Sequence, residues 1–226
     1  MAKVSRRPTS RPYHHGNLAP ALVEAALALL GETQDWAFSL REVARRAGVS
    51  HNAPYKHFPE KRDLLAAVAA RGFEALAERT LASLKGVTGA RAQLIACGRA
   101  FVAQGIANPA LYRLMFSAAL TSPEAGRPLI EKAAAAKARA IFDETLADAV
   151  RSGAFPSSMA NPRISAAASL AAWSLLHGLT MLAIDDFVGP PADIETLVDG
   201  LLGALLNGMA SHPAALPARI WLAPRP

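Results

Sequence analysis

The sequence predicts an all-α protein of about nine helices, with a small N-terminal helix-turn-helix domain and a larger helical body. Alanine and leucine are its commonest residues, and aromatic residues make up only 6% of the 226 residues. No stretch alternates apolar and polar residues over the length of a strand, as a half-buried strand would. The predicted parts are a basic arm (1–16), the helix-turn-helix domain (17–62), the body (63–210) and a proline-rich tail (211–226).

The first two helices have clear start signals. Asn17 is suited to capping a helix that runs to about Glu32, with Pro20 still in its first turn. Ser39 begins a second helix of about two turns. Glu42 lies three positions later, so the two side chains can form a capping box, in which each satisfies a backbone N–H near the other.

A third helix is predicted directly after the second. Gly48 ends the second helix because glycine tolerates the left-handed conformation of a helix stop. Ser50 then caps a helix over 50–57, which Pro59 breaks. Two short helices joined by a glycine-containing turn form a helix-turn-helix.

The remaining helices are marked by prolines and glycines. A fourth helix is predicted from about Glu60 to Lys85. Three pairs in the body place a capping residue before a proline that suits the first helical turn: Asn108-Pro109, Ser122-Pro123 and Asn161-Pro162. The predicted body helices are 88–106, 109–119, 127–152, 162–184 and 193–210.

Positive charge is concentrated in the first quarter of the chain. Residues 1–62 carry ten Lys or Arg and five Asp or Glu, whereas residues 63–226 carry 14 and 13. This asymmetry indicates an anionic partner for the N-terminal end, although a solvated basic tail gives the same counts. The single cysteine, Cys97, excludes an internal disulfide framework and favours a reducing compartment, the cytoplasm.

Residues 48–58 collect hydrogen-bonding side chains in an otherwise apolar chain. In DNA-binding helix-turn-helix domains the second helix presents the N-terminal part of its exposed face to the major groove. On the predicted third helix, the outward positions are Ser50, His51, Asn52, Tyr55 and Lys56. Val49, Ala53 and Phe58 are its anchors, with contact to a thymine methyl as the alternative for Ala53. The pattern alone is weak, because buried helix hairpins look similar.

Residues 18–67 resemble the N-terminal domain of the TetR/AcrR family of bacterial transcriptional regulators. The similarity rests on "LVEAALALL", "SLREVARRAGVSHNAPYKHFPEKRDLLAAV" and the preceding "YHHGN". Two later stretches, "NPALYRLMF" and "AWSLLHGLTML", are similar to the C-terminal domain of a subgroup named for a Trp-His-Gly signature, here Trp173, His177 and Gly178. Pro54 departs from the flexible or apolar residue that is common at its position.

The resemblance implies a homodimer that binds a double-stranded DNA operator through its heads and a small-molecule effector through its bodies. It implies a regulator without enzymatic activity, cofactor or metal, acting as a repressor that its effector releases from a palindromic operator, with an activator as the alternative. The implied DNA contacts are Ser39, Ser50, His51, Asn52, Ala53, Tyr55, Lys56, His57 and Lys61. Arg6, Arg7 and Arg11 of the arm would lie in the minor groove or on phosphates, with disorder in the absence of DNA as the alternative.

Bulky or polar-tipped residues on the alanine- and leucine-rich body helices are candidates for effector contacts. They are Phe101, Tyr112, Met115, Phe116, Trp173, His177 and Met181. Core packing is the alternative for each, and a structural role is the alternative for His177. Their composition predicts an apolar or amphipathic effector held by few polar groups.

Two other function classes are weighed against a regulator. An all-helical enzyme is disfavoured because the six histidines show no metal-ligand spacing, and no phosphate loop or nucleophile elbow occurs. The hypothesis of a membrane-associated protein depends on residues 164–184, which contain no Asp, Glu, Lys or Arg over 21 residues. The serines and His177 of this segment, and the aspartates that follow it, favour a buried helix. Helices 162–184 and 193–210 are therefore predicted to form a dimer interface as a four-helix bundle.

Overall fold

The computed structural model describes residues 18–121, 126, 128–189 and 191–211, without the side chains of 191 and 192. Within these ranges every regular element is helical, and the predicted all-α fold is confirmed. The α-helices are α1 (Leu18–Thr33), α2 (Leu40–Arg46), α3 (Lys61–Ser83), α4 (Ala90–Ala107), α5 (Pro109–Met115), α6 (Leu129–Arg151), α7 (Pro162–Ile184) and α8 (Pro191–Ser211). The predicted Asn17 cap, the N-terminal arm, the Ser122-Pro123 pair and residues 212–226 of the tail lie outside the described residues.

Eight of the nine predicted helices have an α-helix in the same place. Seven of the eight have both ends within two residues of the predicted ends, and α7 coincides with its prediction. The exception in length is α5, which ends at Met115 instead of near residue 119. A separate 3-10 helix, Ala118–Leu120, follows it.

The predicted α-helix over 50–57 is wrong. An α-helix there requires the N–H of residue 54 to donate to the Ser50 carbonyl, and Pro54 has no N–H. The Ser50 carbonyl instead accepts from the Ala53 N–H at 2.9 Å, and a 3-10 helix follows over Pro54–Lys56. The segment that follows the helix-turn-helix turn is therefore wound more tightly than an α-helix.

The head packs α1, α2, the 3-10 segment and the start of α3 around one core. The predicted capping box is present, because the Glu42 N–H donates to Ser39 Oγ at 3.2 Å and the Ser39 N–H donates to Glu42 Oε2 at 2.6 Å. The buried side chains at this core include Leu22, Leu30, Val43, Phe58 and Leu64. Arg46 of α2 pairs with Glu32 of α1 and ties the two helices at the surface.

The α3 helix joins the head to the body. Over its 23 residues it contacts α1 on the head side and α4, α5 and α6 on the body side. At Gly72 it approaches α5 so closely that an added Cβ would lie 2.6 Å from the Met115 sulfur. A side chain at position 72 would require the Met115 side chain to move, so this glycine leaves room for that side chain between the two helices.

The second core lies between α4, α6, α7 and α8. Its fully buried members include Leu94, Val102, Leu146, Val198, Leu202 and Leu206. The α7 helix is long and apolar enough to cross a membrane by length and composition, but it packs on α4, α6 and α8 within this core. Only 39% of its most apolar window is buried, so much of its surface faces outward.

Candidate functional site

The structure exposes most of the side chains that were predicted to contact DNA. The exposed ones are Ser39, Ser50, His51, Asn52, Tyr55, Lys56 and His57, while Ala53 and Lys61 are half-buried. The Lys61 ammonium lies 5.5 Å from the centre of the Phe38 ring. Since Ser39 follows Phe38, this contact brings the start of α3 beside the start of α2.

The 3-10 segment is held against the head by Pro54 and Phe58. Both side chains are buried, and the His57 and Phe58 N–H groups both donate to the Pro54 carbonyl at 2.9 Å. Phe58 was predicted to be an anchor, whereas Pro54 was not. The spacing of four residues between two apolar side chains was the signal that could have revealed it.

Basic residues of the helix-turn-helix differ in how firmly they are engaged. Arg41 and Arg45 are exposed on α2, and Lys56 is exposed on the 3-10 helix. Arg46 is bound to Glu32, and Arg62 lies 3.9 Å from Glu60 with its Nε atom buried. The first three are therefore better placed than Arg46 or Arg62 to meet an anionic partner.

The body contains a cavity of about 350 Å³ between α3, α4, α5, α6 and α7. Its walls are largely apolar. The aromatic lining residues are Phe73, Phe101, Phe116, Phe142 and Trp173, and the polar or charged ones are Thr80, Glu131, Lys132, Arg139 and Ser169. An apolar chamber with a few polar groups is typical of small-molecule sites.

Four of the seven predicted effector contacts line this cavity, namely Phe101, Met115, Phe116 and Trp173. Tyr112, His177 and Met181 do not line it. The Tyr112 hydroxyl and His177 Nδ1 are hydrogen-bonded to each other at 2.8 Å. The Phe116 ring lies 4.6 Å from His177 and 6.0 Å from Trp173, measured between ring centres, so it stands between this pair and the cavity.

The burial of His177 makes the stability of the body dependent on pH. Burial lowers the pKa of His177 below its ordinary value of 6.5 and raises that of Tyr112. The unfolded chain therefore takes up a proton at His177 more readily than the folded chain does, and stability is lost as the pH falls through about 6.5.

We expect the melting temperature to be lower at pH 5.5 than at pH 7.5. This difference should be smaller in His177→Gln than in the wild type. The reason is that glutamine keeps a polar partner for Tyr112 but does not titrate. Circular dichroism melts at three pH values across this window measure the effect. An equal fall in both proteins would contradict this role of His177.

The cavity also holds a polar cluster that the sequence analysis did not identify. The guanidinium carbon of Arg139, on α6, lies over the Trp173 ring at 5.0 Å from its centre, and the Nη2 atom lies 3.4 Å from Ser169 Oγ. Its Nε atom lies 3.6 Å from an oxygen of Asp143, and the Ser169 hydroxyl donates to Asp143. The sequence does contain a signal for this cluster, because Arg139 and Phe142 are three residues apart and therefore lie on one face of α6.

The outer faces of α7 and α8 are apolar and have no partner within the described residues. Leu182 of α7 and Leu201 of α8 are 47% and 42% exposed. Next to Leu201, α8 also carries Gly200, Ala204 and Gly208. An added Cβ at either glycine would have no atom within 4 Å. We call the surface formed by Leu182, Gly200, Leu201, Ala204 and Gly208 the outer face.

The two parts of the chain match models of one protein family. Residues 22–68 match bacterial regulatory proteins of the tetR family, and residues 94–205 match the tetracyclin repressor-like C-terminal domain. The second match includes Trp173, His177 and Gly178, and the assignment to the Trp-His-Gly subgroup remains a prediction. A search of curated proteins found no match.

Solved structures share the fold over nearly the whole chain. A protein of unknown function from Rhodococcus sp. RHA1 has a TM-score of 0.73 and 28% identity, covering 89% of this chain and 100% of its own. FadR from Bacillus subtilis, solved in complex with stearoyl-CoA, has a TM-score of 0.62 and 17% identity over 84% and 98%. A TetR variant from Acinetobacter baumannii AYE, solved with minocycline, has a TM-score of 0.59 and 21% identity over 90% and 99%.

The two parts of the chain thus carry the features of one family. They occur in the expected order, and each forms its own helical unit. The exposed helix-turn-helix of the head agrees with the first match and the helical body agrees with the second. The chain belongs to the TetR family and is a DNA-binding transcriptional regulator rather than an enzyme.

Proposed function

We propose that the chain acts as a homodimeric repressor that a small apolar or amphipathic effector releases from a palindromic operator. One observation carries this proposal: α3 belongs to both sites. It begins at Lys61 beside the exposed 3-10 segment, and further along it supplies Phe73, Leu76 and Thr80 to the cavity wall. A molecule that occupies the cavity therefore touches the helix that orients the head.

The spacing of two heads turns a small movement of α3 into a loss of DNA binding. Two recognition segments must lie about 34–36 Å apart to enter successive major grooves of one duplex. An effector that binds more tightly to a form with a different spacing shifts the population toward that form, by an amount equal to its differential affinity. The complexes of FadR with stearoyl-CoA and of TetR with minocycline support a small-molecule site in such a body.

The outer face supports association of two copies through α7 and α8. One leucine from each helix lies there beside glycine and alanine, so two such faces can approach closely and bury apolar surface. A twofold axis between the copies makes the interface self-complementary, and it requires a palindromic operator.

The DNA contacts are assigned by chemistry. Asn52 is suited to read a base, because an amide can bind adenine through two hydrogen bonds. Tyr55, Lys56, His57 and Lys61 are suited to bind phosphates, which fixes the position of the head without selecting a sequence.

Selection of duplexes from a random pool tests this function. We expect the purified chain to enrich a palindrome, and Asn52→Ala to enrich duplexes that vary at one position of each half-site. The amide contact discriminates between bases by about 1–3 kcal/mol, so its loss widens the preference at that position while the rest of the motif persists.

Enrichment of no duplex at low salt would contradict the proposed function. The control for the variant is Gln34→Ala. This change removes an exposed amide from the connection after α1, outside the helix-turn-helix, and should leave the motif unchanged.

A further inference from the structure

The charged cluster at the cavity indicates which chemical class of effector it binds. We propose, building on the function above, that the effector is an apolar organic acid with one carboxylate, and that Arg139 binds this carboxylate. The apolar part of the acid occupies the aromatic cavity between α3, α4, α5, α6 and α7.

Arg139 lines the cavity with donors that its neighbours engage only loosely. A guanidinium has five N–H donors, and charge-assisted hydrogen bonds to oxygen are usually about 2.7–2.9 Å long. Its acceptors within the described chain are Ser169 Oγ at 3.4 Å and Asp143 Oδ2 at 3.6 Å. The Ser169 hydroxyl is also directed at Asp143 and takes up part of that acceptor capacity. Room therefore remains for a carboxylate to bind Arg139 through two parallel hydrogen bonds.

Trp173 orients the guanidinium for this role. The ring lies under the charged group at 5.0 Å, and both line the cavity. A cation over the face of an indole is attracted by the ring, which takes up none of its N–H donors. Trp173 thus holds the guanidinium at the cavity wall, where its donors can meet a carboxylate.

The other charged groups of the cavity lie away from Arg139 along α6. Glu131 and Lys132 precede it by eight and seven residues, which is about 11–12 Å along a helix. Glu131 is buried and has contacts within the chain. Among the described residues, the carboxylate near the guanidinium is that of Asp143, which is about half exposed and reaches solvent. A ligand carboxylate near Trp173 therefore lies closer to Arg139 than to Glu131 or Lys132.

The chamber limits the apolar part of the acid. A volume of about 350 Å³ holds on the order of a dozen groups of water size, at about 30 Å³ each. Four phenylalanines, Phe73, Phe101, Phe116 and Phe142, surround this space. One aromatic ring on a short chain, or an alkyl chain of about eight carbons, fits this size and these walls.

The test compares acids with neutral and cationic compounds of the same shape. The probes are 4-phenylbutyrate and octanoate, their primary amides, and 4-phenylbutylamine, titrated into the full chain by calorimetry. We expect the acids to bind about tenfold or more tightly than the amides, because only a carboxylate makes a charge-assisted pair. We expect Arg139→Met to abolish this difference and to leave amide binding within about threefold, since methionine keeps an apolar stem over Trp173.

The matched control is Lys137→Met, which removes an exposed cation from the same helix without changing the cavity lining. It should keep the wild-type preference for acids. If Arg139→Met does not fold, the comparison of acids with amides on the wild type decides alone. Equal binding of acid and amide, tighter binding of the amine, or no binding of any acid would overturn the inference. If the chain still binds its selected duplex in any of these cases, only this inference fails and the proposed function is not contradicted.

Discussion

Combining Tyr55→Ala with Lys61→Met is expected to weaken binding to every duplex by about 100- to 1,000-fold. Each change removes one phosphate contact per head, so the dimer loses four contacts, each contributing about 1 kcal/mol. Tyr55 is 46% exposed, and a large exposed aromatic residue on the recognition segment has no evident role in packing. Methionine at position 61 keeps an apolar stem against Phe38 while it removes the charge.

Fluorescence anisotropy with the selected operator and with an unrelated duplex measures this effect at several salt concentrations. The loss should be similar for both duplexes, and the dependence on salt should decrease by about two counterions, one for each Lys61. The control is Lys85→Met, because Lys85 is exposed just beyond the opposite end of α3, about 35 Å away. Wild-type affinity in the double variant would contradict the assignment of these residues to phosphates.

Ala204→Glu is expected to convert the dimer into single chains and to reduce operator affinity by about 100-fold or more. Ala204 lies at the middle of the outer face, and a twofold axis through this face brings two new carboxylates close together in an apolar interface. A single chain binds one half-site and loses the gain of about 10²–10⁴ that simultaneous binding at two sites provides.

Light scattering during gel filtration gives the mass, and anisotropy gives the affinity. Ala133→Glu is the matched control, since it makes the same change at an exposed alanine of α6 that does not line the cavity. That control should remain a dimer. Dimers of Ala204→Glu with wild-type affinity would place the interface elsewhere on the body.

The helix boundaries were predictable because the chain marks them with local signals. Ser39 and Glu42 lie at capping-box spacing, and the structure contains that box. The Asn161-Pro162 pair begins α7 at the predicted residue, with Asn161 accepting the Arg163 N–H. Such signals act within one turn, so they can be recognised without knowing the tertiary structure.

The error at 50–57 also has a local cause. Helical patterning continues through Pro54, and proline is tolerated in the first turn of a helix. Pro54 stands one position too far along for that tolerance, because the α-helical hydrogen bond to the Ser50 carbonyl would need its missing N–H. The exposure of the side chains that follow was predicted correctly, because a 3-10 turn and an α-turn differ little over so short a segment.

The cavity could be predicted only in part. Aromatic residues on apolar helices indicated Phe101, Phe116 and Trp173, but the same pattern also indicated His177, which lies behind Phe116. Arg139 was missed because a charged residue on a helix with other charges is usually a solvated one. Only the packing of α6 against α7, which places the guanidinium over the Trp173 ring, reveals its place at the cavity.

Amide hydrogen exchange across the whole chain, with and without the selected operator duplex, shows which surface binds DNA. We expect the duplex to slow exchange within residues 48–61, which contain the 3-10 segment and the start of α3, and to leave exchange in α6 unchanged. Slower exchange confined to the body, with residues 50–56 unaffected by bound DNA, would contradict this expectation.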